Sequence, residues 1–155
     1  MIYSVQKTRA SFGIYGDQLD PDDWTRYFAV TPDSAARKGD FAWRSGRWSQ
    51  TRARSGVWSV RSPGSLMSTA IDDHMEALSG ILRLPRPDLR ARLAEHAVTA
   101  RFFIFVANYD GDNPPRYTER STRIADSCGV AFEIDLYPQE QTFVMPDSSE
   151  VKCMV

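Results

Sequence analysis

From Ala10 to Tyr15 the chain alternates, with Ala10, Phe12 and Ile14 on one side and Ser11, Gly13 and Tyr15 on the other. This is the period-two pattern of a half-buried strand lying within Val5–Tyr15. Gly16 and Asp17 turn the chain. Asp20 then stands at an N-cap position, Pro21 at the first helical position, and Asp22 and Asp23 in the first turn, which predicts a short helix to about Ala29 with Trp24, Tyr27 and Phe28 on one side. Arg37 to Arg61 reads as strands joined by turns, broken at Gly39-Asp40 and Ser45-Gly46, and its clearest strand opens at Gly56. Farther on, Ile71, Met75, Leu78 and Leu82 form one apolar stripe, predicting a helix over Ser65 to Leu84. Pro85 and Pro87 interrupt it, and Asp88 caps a second piece in which Leu89, Leu93 and Ala97 continue the stripe.

Arg101 to Tyr109 is nearly continuous in apolar residues, as expected of a central strand covered on both faces. Asp110 to Pro115 has loop composition. Thr118 to Cys128 is predicted helical, with Ser121, Ile124, Ala125 and Cys128 on one face and Gly129 ending it. Ala131 to Tyr137 alternates again, with Phe132, Ile134 and Leu136 inward. This order, β-α-β(β)-α-α-β-α-β, predicts an α+β two-layer sandwich: an antiparallel or mixed sheet with helices packed on one face. Ile71, Met75, Leu78, Phe103, Phe105, Phe132 and Ile134 are the expected core. Residues 1–137 form a single domain on this reading, and 138–155 an extension that is either an added edge strand or a mobile tail.

The segment Phe12 to Trp24, the turn Arg37-Lys38-Gly39-Asp40 and the strand Gly56-Val57-Trp58-Ser59-Val60 together resemble the signature of a bacterial family filed as domain of unknown function 4279. The resemblance runs from about residue 9 to residue 137 and implies the fold and the setting, but no reaction. The chain departs from the family pattern in its extended tail and in Arg120, Ser121 and Thr122, where apolar residues would be expected.

A chain of 155 residues is the size of one ordinary domain and buries roughly 70% of its unfolded surface without staples. Cys128 and Cys153 do not suggest a disulfide framework, and Cys128, at a helix C-terminus, is expected to be a small apolar filler of low nucleophilicity. No apolar run approaches the roughly 18 residues of a membrane span, and Met1 to Ala10 lacks the pattern of a signal peptide, so the expected compartment is the cytoplasm. The net charge of −1 conceals a polarised distribution. Residues 1–36 carry −2, residues 37–61 carry +6 and residues 62–155 carry −5.

The basic block is interleaved with aromatics: Phe41, Trp43, Trp48 and Trp58 stand among Arg37, Lys38, Arg44, Arg47, Arg52, Arg54 and Arg61. Trp and Arg are enriched at interface hot spots, and aromatic and basic residues together also serve single-stranded nucleic-acid binding. Alternatively Trp43 and Trp58 face the core, and the arginines form a solvated face and pair with the acidic flanks. Asp17, Asp20, Asp22 and Asp23 form an acidic cluster that is either a capped helix start or, read functionally, a calcium-binding group or a charged contact to a basic partner, with spacing unlike an EF-hand loop. Candidate partner-binding residues are therefore Trp43, Arg44, Arg47, Trp48, Arg52, Arg54 and these four aspartates.

Asp72-Asp73-His74-x-Glu76 places acids and an imidazole within two helical turns. Asp72 and Glu76 share a face, whereas His74 points about 160° away, so the expectation is a histidine at the core edge with solvated acids opposite. His96 is similarly isolated. No phosphate loop, nucleophile elbow, HExxH or zinc-spaced cysteine pair is present, and no catalytic residue, metal or cofactor is assigned. The sequence thus suggests a binding protein, foremost an immunity protein that occludes a toxin. A single-stranded nucleic-acid binder, or an enzyme whose site is assembled from distant segments, is the alternative.

Overall fold

The computed structural model describes residues 5–44 and 46–139. It contains a seven-stranded mixed sheet and four helices in the order β1 (Lys7–Gly16), α1 (Pro21–Phe28), β2 (Ser34–Ala36), β3 (Phe41–Arg44), β4 (Arg47–Arg52), β5 (Gly56–Arg61), α2 (Ile71–Leu82), α3 (Leu89–Glu95), β6 (Thr99–Tyr109), α4 (Glu119–Cys128) and β7 (Ala131–Pro138). Across the sheet the strands run β4-β3-β2-β5-β1-β6-β7. All neighbours are antiparallel except β6 and β7, which are parallel and joined through α4. The α+β architecture read from the sequence is the one observed.

One face of β1, β5 and β6 meets the helices. Ala10, Phe12 and Ile14 of β1, Trp58 and Val60 of β5, and Ala100, Phe102, Ile104 and Val106 of β6 join Trp24, Phe28, Ile71, Met75, Leu78, Leu82, Leu89, Leu93, Ala125 and Cys128 in a single core. Its aromatic centre is a set of ring contacts: Phe28 stacks on Trp58 at 5.2 Å and meets Phe12 edge-on at 5.7 Å. The close approach of β5 to the first turn requires glycine at position 56, because a Cβ there would lie 2.5 Å from the Gly16 carbonyl oxygen and 2.8 Å from Leu19 Cβ.

Helix α1 begins as its sequence predicts, with Asp20 Oδ1 accepting from Asp22 N at 3.1 Å and Pro21 in the first turn. Helix α4 is capped by the Thr118 hydroxyl and closed by Gly129 at φ 64°. The predicted start of the second helix at Ser65 is corrected to Ile71. The six preceding residues take a different set of bonds: Ser68 Oγ accepts from Ala70 N and donates to Asp73 Oδ2, and the Thr69 carbonyl accepts from Thr8 on β1. Local side-chain bonding of this kind competes with helical backbone pairing. Asp88 also departs from expectation. It precedes α3 without a side-chain capping bond, and its carboxylate accepts instead from Tyr27 Oη at 2.7 Å.

The reading of β6 as covered on both faces is likewise corrected. Ala100, Phe102, Ile104 and Val106 are buried, but Phe103 and Phe105 are half-buried on the opposite face, to which no described helix is applied, so they do not belong to the expected core. On β7, Phe132 and Ile134 pack against the core as predicted, whereas Leu136 is exposed at the sheet edge. The expected tail, apart from Pro138 and Gln139, and Cys153 lie outside the described residues. Among those described, no helix is long and apolar enough to cross a membrane.

Candidate functional site

The strands past β5 carry the candidate site. Directly opposed residues in a sheet point to the same face, and one row of them runs Ile14, Trp58, Ala35, Trp43, Trp48 across β1, β5, β2, β3 and β4. At the β1 end this row is the core. Trp58 is fully buried, and its Nε1–H donates to Thr25 Oγ1 at 3.1 Å. At the β4 end the helices have run out, so the same face becomes surface. Trp43 is half-buried and Trp48 is 67% exposed, their rings edge to face at 5.2 Å.

Between this pair and the start of α1 lies a groove of about 730 Å³, whose lining includes Pro21, Ala35, Phe41, Trp43, Trp48 and Arg52. Its walls are mainly apolar, with charged groups at the margins. The Arg52 guanidinium sits over the Phe41 ring at 4.7 Å and donates to the Gly39 carbonyl. Asp22, Arg37 and Asp40 complete the rim.

The acidic cluster and the first cations of the basic block meet here. Arg37 bonds to Asp20 at 2.7 Å and approaches Asp22 at 3.8 Å, Lys38 reaches Asp17 at 3.0 Å, and Asp23 is paired with Arg26 one helical turn away. The hydrogen bond and charge of Lys38 hold the Asp17 carboxyl below its ordinary pKa. These pairs are exposed, so each contributes little to stability, but they turn the carboxylates inward on the molecule's own cations. Arg44 and Arg47 differ. They are directly opposed on the other face of the β3–β4 ribbon, both exposed, and neither they nor the exposed Arg54 takes part in an ion pair or side-chain hydrogen bond among the described residues.

The structure therefore brings Trp43, Trp48 and Arg52 together with Asp22 around one groove, leaves Asp17, Asp20 and Asp23 outside its lining, and sets Arg44 and Arg47 on the reverse of the same ribbon. The aromatic pairing had a sequence signal, since Trp43 and Trp48 flank Gly46, which adopts φ 85° in the turn. Pro21 and Ala35 had none. Ala35 enters the groove through the pairing of β2 with β3 and β5, and Pro21 enters it from the first turn of α1.

The acids of α2 form a separate arrangement. The expectation that Asp72 is solvated is corrected: it is 7% exposed and its carboxylate accepts from Thr118 N at 3.0 Å, Thr118 Oγ1 at 2.8 Å and Ser121 Oγ at 2.6 Å. Desolvation opposes its ionisation, but the bonds from Ser121 and Thr118 and the Arg120 charge prevail and lower its pKa. Arg120 makes a two-pronged contact with Glu76, Nε to Oε1 at 2.7 Å and Nη2 to Oε2 at 2.5 Å. Polar residues on α4 thus meet polar residues on α2. His74 is buried; its Nε2–H donates to the Ser68 carbonyl at 2.7 Å, and Nδ1 faces Ser62 Oγ at 2.8 Å. Cys128 is buried at the end of α4, and burial raises its thiol pKa. His96 lies against the Trp24 ring. Among the described residues, no group of three or more His, Cys, Asp or Glu side chains is placed to hold a metal ion.

A family model described as Domain of unknown function (DUF4279) matches residues 6–139, which span every described strand and helix. The chain belongs to this family. Its DUF4279 match includes both walls of the groove and the α2–α4 contact. No curated protein and no solved structure matches the chain.

Proposed function

We propose that this DUF4279 protein is a cytoplasmic bacterial binding protein that acts by covering a surface of a protein partner, in the manner of an immunity protein that neutralises a cognate toxin. One observation supports a binding role above the others: an exposed tryptophan, Trp48, stands beside an open, mainly apolar groove at the end of the sheet that the helices leave uncovered. A tryptophan in that setting offers a large apolar area to a partner at little cost in conformational entropy.

The single-stranded nucleic-acid reading draws on the same residues. Against it stand the carboxylates at the groove, Asp22 and Asp40, beside which a phosphate backbone would be repelled, and the covering of the Phe41 face by Arg52. Trp48 is the most exposed ring of the groove, Phe41 being less exposed and capped by Arg52, whereas strand-binding surfaces use successive stacking platforms.

Co-expression with a toxin domain encoded directly beside this gene tests the proposal. Cells carrying the toxin survive when this protein is present and die when it is absent. Equal killing in both cases rejects the immunity role.

A further inference from the structure

We infer that β3 and β4 are the contacting element and that they dock on an acidic, concave protein surface; this rests on the binding role proposed above. The inference begins with the charges the fold leaves over. Of the cations from Arg37 to Arg54, Arg37 and Lys38 are matched by Asp20 and Asp17, and Arg52 is engaged by Gly39 and Phe41. Arg44, Arg47 and Arg54 are the remainder among the described residues. Like charges placed directly opposite on adjacent strands are destabilising, and Arg44 and Arg47 are so placed. Carboxylates from outside the chain would relieve that repulsion.

Among the described residues, the ribbon has two dissimilar faces meeting at one free edge. Trp43 and Trp48 lie on the groove side, Arg44 and Arg47 on the reverse, and β4 ends the sheet. An occupant that uses both faces must therefore pass around β4, with an apolar group in the groove and carboxylates against the arginines. Trp and Arg are the residue types that dominate binding energy in protein interfaces. A second copy of this chain does not fit, because symmetric pairing along β4 would gather the Arg44 and Arg47 of both molecules. Nucleic acid satisfies the arginines but meets Asp22 and Asp40 at the groove. The consequence concerns the partner: the surface covered is acidic, unlike the cationic clefts with which nucleases hold phosphate backbones.

Three labelled probes titrated into the intact protein at low and at physiological salt test this: a peptide of alternating Glu and Phe, the same peptide with Lys for Glu, and a single-stranded oligothymidine. The acidic peptide is expected to bind about tenfold or more tightly than the other two, with binding abolished by Arg44→Glu and Arg47→Glu together and weakened about tenfold or more by Trp48→Ala. These side chains are exposed, so unchanged thermal midpoints will show that the variants are folded. Equal or tighter binding of the lysine peptide or the oligonucleotide, no binding of any probe, or indifference to charge reversal overturns the inference. Co-expression separates it from the functional proposal. If the wild type protects cells and a variant combining Arg44→Glu, Arg47→Glu and Trp48→Ala protects equally well, occlusion stands and this surface is wrong; if the wild type fails to protect but prefers the acidic peptide, the surface stands and the immunity role falls.

Discussion

Ser121 and Arg120 are polar where a helix of this family is expected to be apolar, and Asp72 and Glu76 supply the reason. A buried carboxylate accepting three hydrogen bonds is stable only while all its partners remain, since removing one side of a buried bond leaves the other unsatisfied. Asp72→Ala is therefore expected to cost about 2–3 kcal/mol, read from chemical denaturation midpoints. Glu76→Ala, which removes an exposed pair, should cost about 1 kcal/mol or less. The pH dependence has a definite sign. Because the folded pKa of Asp72 lies below its ordinary value, the ionised carboxylate stabilises the fold at pH above about 4, and that contribution is lost as pH falls through the lowered folded value. Wild type and Asp72→Asn should accordingly differ most near neutral pH and converge in acid, and a gap that widens in acid would contradict this account. The four-residue spacing of Asp72 and Glu76 was legible in sequence. Their partners were not, because Thr118 and Ser121 lie 46 and 49 residues from Asp72 and become neighbours only when α2 and α4 pack.

At the level of elements, long periodic segments were legible and short or ambiguous ones were not. β1, α1 and α4 carry both a hydrophobic period and residues that end them, so pattern and cap agree. β2 is three small residues, Ser34–Ala36, too short to display a period, yet it joins the ribbon to the rest of the sheet through β5. The existence of β6 was plain, but its phase was not, because Phe103 and Phe105 are as apolar as Phe102 and Ile104. Registration against β1 and the siting of all four helices on one face decide which set is covered. Phe102→Ala is expected to cost about 3–5 kcal/mol, since Phe102 is fully buried and in ring contact with Phe12 at 5.1 Å. Phe105, half-buried against the Tyr137 ring, should cost clearly less. Denaturant midpoints for the two variants test the phase, and a larger loss at Phe105 would place the core on the wrong face of the sheet.

For the whole molecule, the sheet divides by what covers it. Sequence and family resemblance made the layered fold legible, and the basic aromatic block marked the place where the fold ends and surface begins. They did not show the groove, which arises only when α1 is laid beside β3 and β4. This division has an energetic consequence, because segments with few buried apolar contacts open locally at less than the global free energy of unfolding. The amides of β1, β5 and β6, which lie under the helices, should exchange with solvent only through global unfolding, whereas those of β3 and β4 should exchange through smaller local openings. The same contrast is expected in mutational cost. Trp48→Ala should change stability by about 0.5 kcal/mol or less, and Trp58→Ala, which removes a fully buried ring from the stack with Phe28, should cost about 3–5 kcal/mol. Native-state hydrogen exchange on the wild type and denaturation of the two tryptophan variants are independent measurements of that division. If β3 and β4 exchange as slowly as β1, or if Trp48→Ala is as damaging as Trp58→Ala, the ribbon is part of the structural core, and its exposed tryptophan is serving the fold instead of a partner.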